Sequence, residues 1–407
     1  LRAGTIATPG GFGRLDGTEP AGFRRPIAEG RDPFHRLLAK TGACFPGSEI
    51  EASPVAPGTI TKGVGQPAMS TKAGSGISII VPVHCGGAPF EKCLASVRAA
   101  SPPPEEIIVV ADGDLEGDRR LAERFGARVL STPSPGGPAR ARNVGAAAAG
   151  TEILFFVDAD VTLEPTAVGR VASVFRADPT LAAVFGAYDD DPAETNFLSQ
   201  YKNLLHHYVH TTSSEEAATF WGACGAIRRS VFLDLSGFDE SYRQPMIEDI
   251  ELGYRLRRAG HRIRLAKDLN VKHLKRWTLT SLLRADFFGR ALPWTRLILG
   301  GERFIDDLNL NLRSRLSVVA VFLLLAVALG GLFRPWVFVA AIPLAAALVL
   351  MNRDLYRFFR SKRGLGFALM AIPWHWFYFF YSGLAFVIGL SRHGLERLMR
   401  ARRRAPA

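Results

Sequence analysis

The apolar positions change rhythm three times along the chain. Residues 1–75 mix Gly and Pro with polar residues and sustain neither a helical nor a strand period. Such a segment buries too little apolar surface to offset the entropy of ordering, so a disordered N-terminal arm is expected. Within it the pattern supports no more than a short helix around Pro33–Lys40. From Ile77 onward short β-branched runs set in: Ile77–Val83, Glu106–Ala111, Ala127–Leu130 and Glu152–Val157. Continuous apolar runs of that length suit strands buried on both faces. Helix-compatible stretches separate them, at Pro89–Ala100, Glu116–Phe125 and Pro138–Ala149. Strand and helix in alternation predict βαβ crossovers and a mostly parallel, twisted sheet. Ligands of such α/β sheets lie outside the carboxyl ends of the strands.

After Arg315 the rhythm changes again. Leu316–Phe333 and Pro335–Met351 are two apolar runs separated only by the turn Gly330–Pro335. Each is near the ~17-residue lower limit for a spanning helix. Leu365–Leu390 is a third run, with Pro373 inside it and an aromatic cluster from Trp374 to Tyr381. The expected organisation is an arm over 1–75, a catalytic part over 76–277 and an interfacial segment over 278–315. A transmembrane region of two to three spans over 316–390 and a basic tail over 391–407 complete it. Within the interfacial segment, Leu279–Leu299 mixes apolar residues with Arg284, Arg290 and Arg296.

Composition sharpens this picture. With 407 residues, 48% hydrophobic and 22% charged, the chain is too apolar to be mostly disordered and long enough for two to three domain-sized units. Its net charge of +12 admits nucleic acid or an anionic membrane as partner. The cations cluster beside the apolar runs, at Arg353, Arg357, Arg360, Lys362 and Arg363 and again at Arg397, Arg400 and Arg402–Arg404. That placement favours lipid headgroups over nucleic acid, and a multi-pass protein with its catalytic part on the cytoplasmic face. Three spans would put the two basic clusters on opposite faces. Either the last run turns back at Pro373 or the tail departs from the positive-inside bias, and the sequence leaves both open. The four cysteines (Cys44, Cys85, Cys93, Cys224) show neither CxxC pairs nor framework spacing. That excludes a disulfide scaffold and points to a reducing compartment. Cys85 and Cys224 read as packing residues.

The candidate chemistry sits where strands end. Asp158 and Asp160 follow the most hydrophobic strand of the soluble part, and two carboxylates at that spacing can share a hard divalent cation, Mg2+ or Mn2+. Such a cation can neutralise a departing diphosphate. Asp112 ends the second strand, where an acid can accept hydrogen bonds from a base or a ribose hydroxyl; a plain Asp-Gly turn accounts for it equally well. Pro135–Gly145 is a glycine-rich turn that opens a helix bearing Arg140 and Arg142, and backbone N–H groups with guanidinium forks suit phosphate oxygens. No GxGxxG or GxxxxGK[ST] lies at a strand–helix junction, which argues against dinucleotide-binding dehydrogenases and P-loop enzymes. Glu248 and Asp249 open a helix, where acids serve either as caps or as a base for an attacking hydroxyl. His206 and His210 have the i, i+4 spacing of metal ligands but lack the glutamate of HExxH, so a polar helix face is favoured.

In combination these residues resemble the family 2 glycosyltransferases, inverting enzymes with the nucleotide-diphospho-sugar transferase (glycosyltransferase A) fold. The resemblance runs from about Ile77 to Leu299. It rests on Val81-Pro82-Val83, Asp112, Ala141-Arg142-Asn143-Val144-Gly145, Asp158-Ala159-Asp160, Gly237-Phe238-Asp239-Glu240 and Glu248-Asp249. It implies an α/β enzyme in which Pro82, Val83 and Asp112 hold the nucleoside of a nucleotide-diphospho-sugar donor and Arg142 lies near the diphosphate. Asp158 would serve ribose and metal, Asp160 the metal, Asp249 would be the base and Glu248 its acceptor-side neighbour. His273–Trp277 resembles the Gln-x-x-Arg-Trp element of processive members with His273 in place of Gln, which offers an imidazole to the metal and counts against polymer synthesis. Trp221 and Gly222, with Arg276 and Trp277, would line the acceptor side. The expected activity is transfer of a sugar to a lipid or lipid-linked acceptor at an anionic membrane. A polysaccharide synthase subunit and a catalytically silent nucleotide-sugar-binding protein are the competing readings; a transporter lacks the spans and intramembrane charges.

Overall fold

The β-branched runs and their helical connections build one sheet in the computed structural model, which describes residues 76–113, 115–300 and 311–404. All belong to the unit that runs from Lys62 to Ala407. The expected arm over 1–75, with its short helix, lies outside the described residues.

The first half follows the βαβ pattern. Strands β1 (Ile77–Val83), β2 (Glu106–Asp112), β3 (Arg128–Thr132) and β4 (Ile153–Val157) are connected by helices α1 (Gly87–Arg98), α2 (Glu116–Arg124) and α3 (Pro138–Ala148). They lie side by side in the order β3-β2-β1-β4, all parallel. Beyond β4 come β5 (Val161–Leu163), α4 (Ala167–Ala177), β6 (Leu181–Tyr188), α5 (Phe197–Thr212), β7 (Glu216–Ala217) and β8 (Cys224–Arg228). The short α6 (Arg229–Asp234), α7 (Glu248–Arg258) and the long β9 (Arg262–His273) follow.

The second half departs from the expected mostly parallel sheet. Strand β8 inserts antiparallel between β4 and β6, and β5 and β7 run antiparallel to β9. Only β6 and β9 pair in parallel there. The complete order is β3-β2-β1-β4-β8-β6-β9-β5, with β7 on β9, a mixed sheet. Antiparallel neighbours need no crossover helix, so this half never shows the alternation that made the first half legible.

Both faces are covered. Phe90, Leu94 and Val97 of α1 pack with Ile77, Ile79 and Val81 on one side, joined by Val168 and Phe175 of α4. On the other, Ile80, Phe156 and Phe185 meet Phe220, Phe238 and Leu252. Gly145 lets α3 lie close to the sheet, since a β-carbon there would press into Ile80. Burial on both sides is why these strands are apolar throughout rather than alternating.

The carboxy-terminal part is helical. Helix α8 starts at a capping box on Thr278 and runs as Leu279–Leu283, a π-helical stretch Arg284–Ala291 and Leu292–Leu299. Helix α9 (Leu312–Phe333), a 3-10 turn Pro335–Ala340 and α10 (Ala341–Met351) form a hairpin, followed by α11 (Arg353–Arg404), which is kinked at Gly364. Among the described residues helix α9 alone is by itself long and apolar enough to cross a membrane; the segments from Pro335 to Met351 and from Arg353 to Met399 are so only taken together, across a 64° bend. The basic stretch 353–363, expected as a loop facing headgroups, is instead helical and docks on α5. Leu355, Tyr356 and Phe359 pack against Tyr201, Leu204 and Leu205. Lys362 pairs with Asp190, and Arg363 Nε donates to Gln200 Oε1 at 2.5 Å. These two cations are therefore satisfied within the protein.

Candidate active site

The carboxyl end of β4 delivers Asp158 and Asp160 to one edge of the sheet. Their side chains remain 32% and 35% exposed, so both carboxylates face solvent. The antiparallel pairing of β5 with β9 sets Val161 opposite His273, which brings the imidazole Nε2 to 3.7 Å from Asp160 Oδ2. Burial opposes ionisation of Asp160, but the neighbouring His273 side chain, with Lys275 adding, holds its carboxyl down at about 2. Burial pushes the Asp158 carboxyl up, and Arg142 opposes that shift. Among the described residues no three His, Cys, Asp or Glu side chains converge into a cage of their own. Two solvent-facing carboxylates beside an imidazole nevertheless fit a hard divalent cation, which ordinarily takes one or two carboxylates and completes its shell with water and substrate phosphates.

Arg142 lies beside the carboxylates at the end of β4. Its guanidinium is buried beneath the site, where Nη2 donates to Asp158 Oδ1 at 2.6 Å and Nη1 to Glu248 Oε1 at 2.8 Å. It thus ties the end of β4 to the start of α7. Gly222 lies directly above it; a β-carbon there would stand 3.1 Å from the guanidinium carbon. The adjacent Asn143 bonds both the N–H and the carbonyl of Phe238, which fixes the Gly237–Glu240 segment.

Glu248 and Asp249 begin α7 but differ in surroundings. Glu248 is buried, its Oε1 taken by Arg142 and its Oε2 by the Met246 N–H at 2.9 Å. Asp249 Oδ2 accepts from the Gly222 N–H at 3.0 Å, and Oδ1 from the Ile250 N–H at 2.8 Å. Burial, reinforced by the charge of Glu248, raises the Asp249 carboxyl to about 6, against the Gly222 hydrogen bond and Arg142. A carboxylate held at that value takes up and releases a proton near neutrality.

Asp112 is buried at the end of β2, and its oxygens are engaged. Oδ1 accepts from the Gly136 N–H (2.8 Å) and the Thr132 hydroxyl (2.9 Å), and Oδ2 from the Gly137 N–H (2.9 Å). It clamps the glycine-rich turn that opens α3. Gly137 has φ +88°, and a β-carbon on it would collide with the Arg243 carbonyl. Pro82 and Val83 lie at the carboxyl end of β1, in register with Val110 and Ala111 of β2.

The remaining residues form an aromatic wall. Tyr188, at the end of β6, stacks on His273 with ring centroids 4.2 Å apart and meets Trp221 edge-on at 4.8 Å. His206 and His210 pack behind Trp221 at 4.7 and 5.4 Å. Burial lowers both imidazoles, His210 to about 4, which keeps them neutral. Trp277 is itself buried, its backbone held by Ser199 and Asn196, while Arg276 reaches outward to Glu194 at 3.0 Å. Sequence reasoning missed Tyr188; its signal is an aromatic residue closing an apolar strand just before Asp189-Asp190-Asp191. The packing role expected for the cysteines holds for Cys224, which is buried and free. Cys85, by contrast, is exposed just past β1.

Residues 78–236 match the family model for glycosyl transferase family 2. The chain is 29% identical over 224 residues to the pre-mycofactocin glycosyltransferase of Mycobacterium tuberculosis, a match covering 52% of this chain and 46% of that protein. It therefore spans less than half of that relative. An O-antigen chain rhamnosyltransferase, RfbN of Salmonella typhimurium, is 23% identical over 55% of this chain and 76% of its own length. Among solved structures, the mannosyltransferase PcManGT from Pyrobaculum calidifontis, in complex with GDP-Man and Mn2+, aligns with a TM-score of 0.47 and 16% identity. That alignment covers 77% of this chain and 86% of the other. Residues 78–236 of this chain thus form a domain of glycosyl transferase family 2.

Proposed function

We propose that the protein is a membrane-anchored, inverting glycosyltransferase that moves a sugar from a nucleotide-diphospho-sugar to a lipid or lipid-linked acceptor. One observation carries this reading: Asp249, whose carboxyl burial raises to about 6, is linked through Gly222, Arg142 and Glu248 to the solvent-facing pair Asp158 and Asp160. The nucleoside would lie over the ends of β1 and β2 near Pro82 and Val83, beside the glycine-rich turn that Asp112 clamps. Asp158, Asp160 and His273 would hold Mg2+ or Mn2+, which when bound offsets the charge of the departing diphosphate. Asp249 would take the proton of an acceptor hydroxyl as its oxygen attacks the anomeric carbon and the nucleoside diphosphate leaves. A single displacement of this kind inverts the anomeric centre. Trp221 and Tyr188 would face the sugar or acceptor, where an aromatic surface suits apolar sugar faces. The exposed apolar hairpin α9–α10 supports presentation of the acceptor at a bilayer.

The test is a panel of nucleotide sugars incubated with the full-length protein, Mg2+ or Mn2+ and a membrane lipid extract, followed by product masses. A lipid-soluble product heavier by one sugar is expected from one of the donors. Release of free sugar alone, equally fast without the extract, contradicts the acceptor assignment.

A further inference from the structure

The hairpin α9–α10 begins and ends at the same level. Near its base Arg313 reaches Asp354 at 3.4 Å, and Asn352 Nδ2 donates to Ser317 Oγ at 3.0 Å. Its distal half has no cover: Leu329, Leu332, Phe333, Trp336 and Ile342 are each more than 60% exposed. Immediately after the base, the chain returns to the catalytic part, where residues 355–363 dock on α5. Gly364, with φ +83°, reverses the direction, so that Tyr356 Oη comes within 3.2 Å of His375 Nδ1.

From there the third apolar run never leaves the catalytic part. Phe367 packs on Phe197 of α5 with centroids 5.3 Å apart, and Trp374 on Tyr201 at 6.3 Å. Tyr381 donates to the buried Asp286 of α8 at 2.8 Å, and that carboxylate also holds Lys202 of α5 at 2.5 Å. Gly389 abuts Thr295, where a β-carbon would stand 2.6 Å from the threonine methyl. From Phe367 to Gly389 a helix advances about 33 Å, as much as the thickness of a hydrocarbon core. A helix that touches α5 and α8 over that whole length cannot also traverse the core unless they do. Helix α8 carries Arg284, Arg290 and Arg296, and α5 carries Lys202 and three histidines.

We propose that Leu365–Leu390 is not a span: it lies in the plane of the membrane interface against anionic lipid, wedged between the hairpin and the catalytic part. The hairpin then enters and leaves on one face, so the catalytic part, the basic residues of 353–363 and the tail share that face. This removes the conflict between two basic clusters and an odd number of crossings. The helix has the form such a position requires. At 3.6 residues per turn its exposed Leu365, Leu369, Val387 and Leu390 fall on one side. The buried Ala371, Tyr381 and Ala385 fall opposite. A shallow apolar edge continuing into basic residues is the pattern of an in-plane helix.

The inference rests on the membrane-anchoring reading above, and the experiment separates the two. Full-length protein carrying Ser230→Cys on α6, Arg334→Cys at the hairpin tip or Ser391→Cys after the third run is treated in sealed vesicles with a membrane-impermeant maleimide. Wild type sets the background, and detergent-opened vesicles set full labelling. Cysteines at 230 and 391 should react from the same side, and the one at 334 only from the opposite side. A residue 391 that reacts with 334 and not with 230 makes the third run a crossing and overturns the proposal. A residue 334 that reacts alongside 230 overturns the two-crossing hairpin. Loss of the wild-type chain from the membrane pellet at alkaline pH would defeat anchoring and the topology with it, leaving the transfer assay unaffected.

Discussion

Asp249 is the second residue of α7, behind an N-cap at Ile247. An asparagine oxygen can still accept from the Gly222 N–H, so Asp249→Asn keeps that contact while removing the base. Transfer to a hydroxyl acceptor should fall by roughly 10²–10⁴-fold, measured as initial rate under saturating donor. The folded pKa lies above that of an unfolded aspartate, so this group's contribution to stability is full in acid and is lost as pH rises through about 6. The fixed-neutral asparagine escapes that loss, and at pH 8 the variant should melt at or above the wild-type temperature in a thermal scan. In wild type the base form exists only above about 6, so the transfer rate should fall as pH drops through that value. Arg142→Lys tests the bridge below the site: one ammonium cannot hold Asp158 and Glu248 in the geometry of a guanidinium fork. It should lower kcat at least tenfold, about 1.4 kcal/mol of barrier, with the fold intact by circular dichroism. The acids themselves were legible, because each ends a strand or starts a helix that the sequence pattern locates. The tasks of Arg142 and Asp112 were not. Their partners lie 106 and 24 residues away, and no local spacing encodes such pairs.

The glycine-rich turn shows how an element is specified by its backbone. Asp112 fixes it from below and Gly137 admits a conformation closed to other residues. Gly137→Ala should therefore cost about 1–3 kcal/mol in urea unfolding, from strain and the clash with Arg243. Donor affinity, read by nucleotide titration, should weaken in parallel because Asp112 loses its partners beside the nucleoside site. Among the strands, β1, β2 and β4 were readable because burial on both faces makes them continuously apolar. Strand β8 is five residues with Gly225 and Ala226 at its centre, and β9 alternates charged and apolar positions, since much of it is exposed on one side. Neither carries the signal of a buried parallel strand, and the mixed half of the sheet stayed hidden for that reason.

At the scale of the molecule, the apolar runs announce a membrane part, but their attachment to the enzyme is invisible in composition. Tyr201, Leu204 and Leu205 of α5 are buried by α11, so a chain ending at Arg313 would bare an apolar face of the catalytic part. Such a truncation should aggregate on removal of detergent, seen by light scattering, while the full-length protein stays in vesicles through a high-salt wash. Release of the full-length protein by salt alone would mean its attachment is electrostatic. The central claim is sugar transfer at a site built from Asp158, Asp160 and Asp249. It is tested most directly by the rate of nucleoside diphosphate release with donor, Mn2+ and lipid extract, for wild type, Asp160→Asn and Asp249→Asn, each with and without EDTA. The account predicts release by wild type that EDTA abolishes, and almost none from either variant. Undiminished release by Asp160→Asn, or by wild type in EDTA, would contradict it.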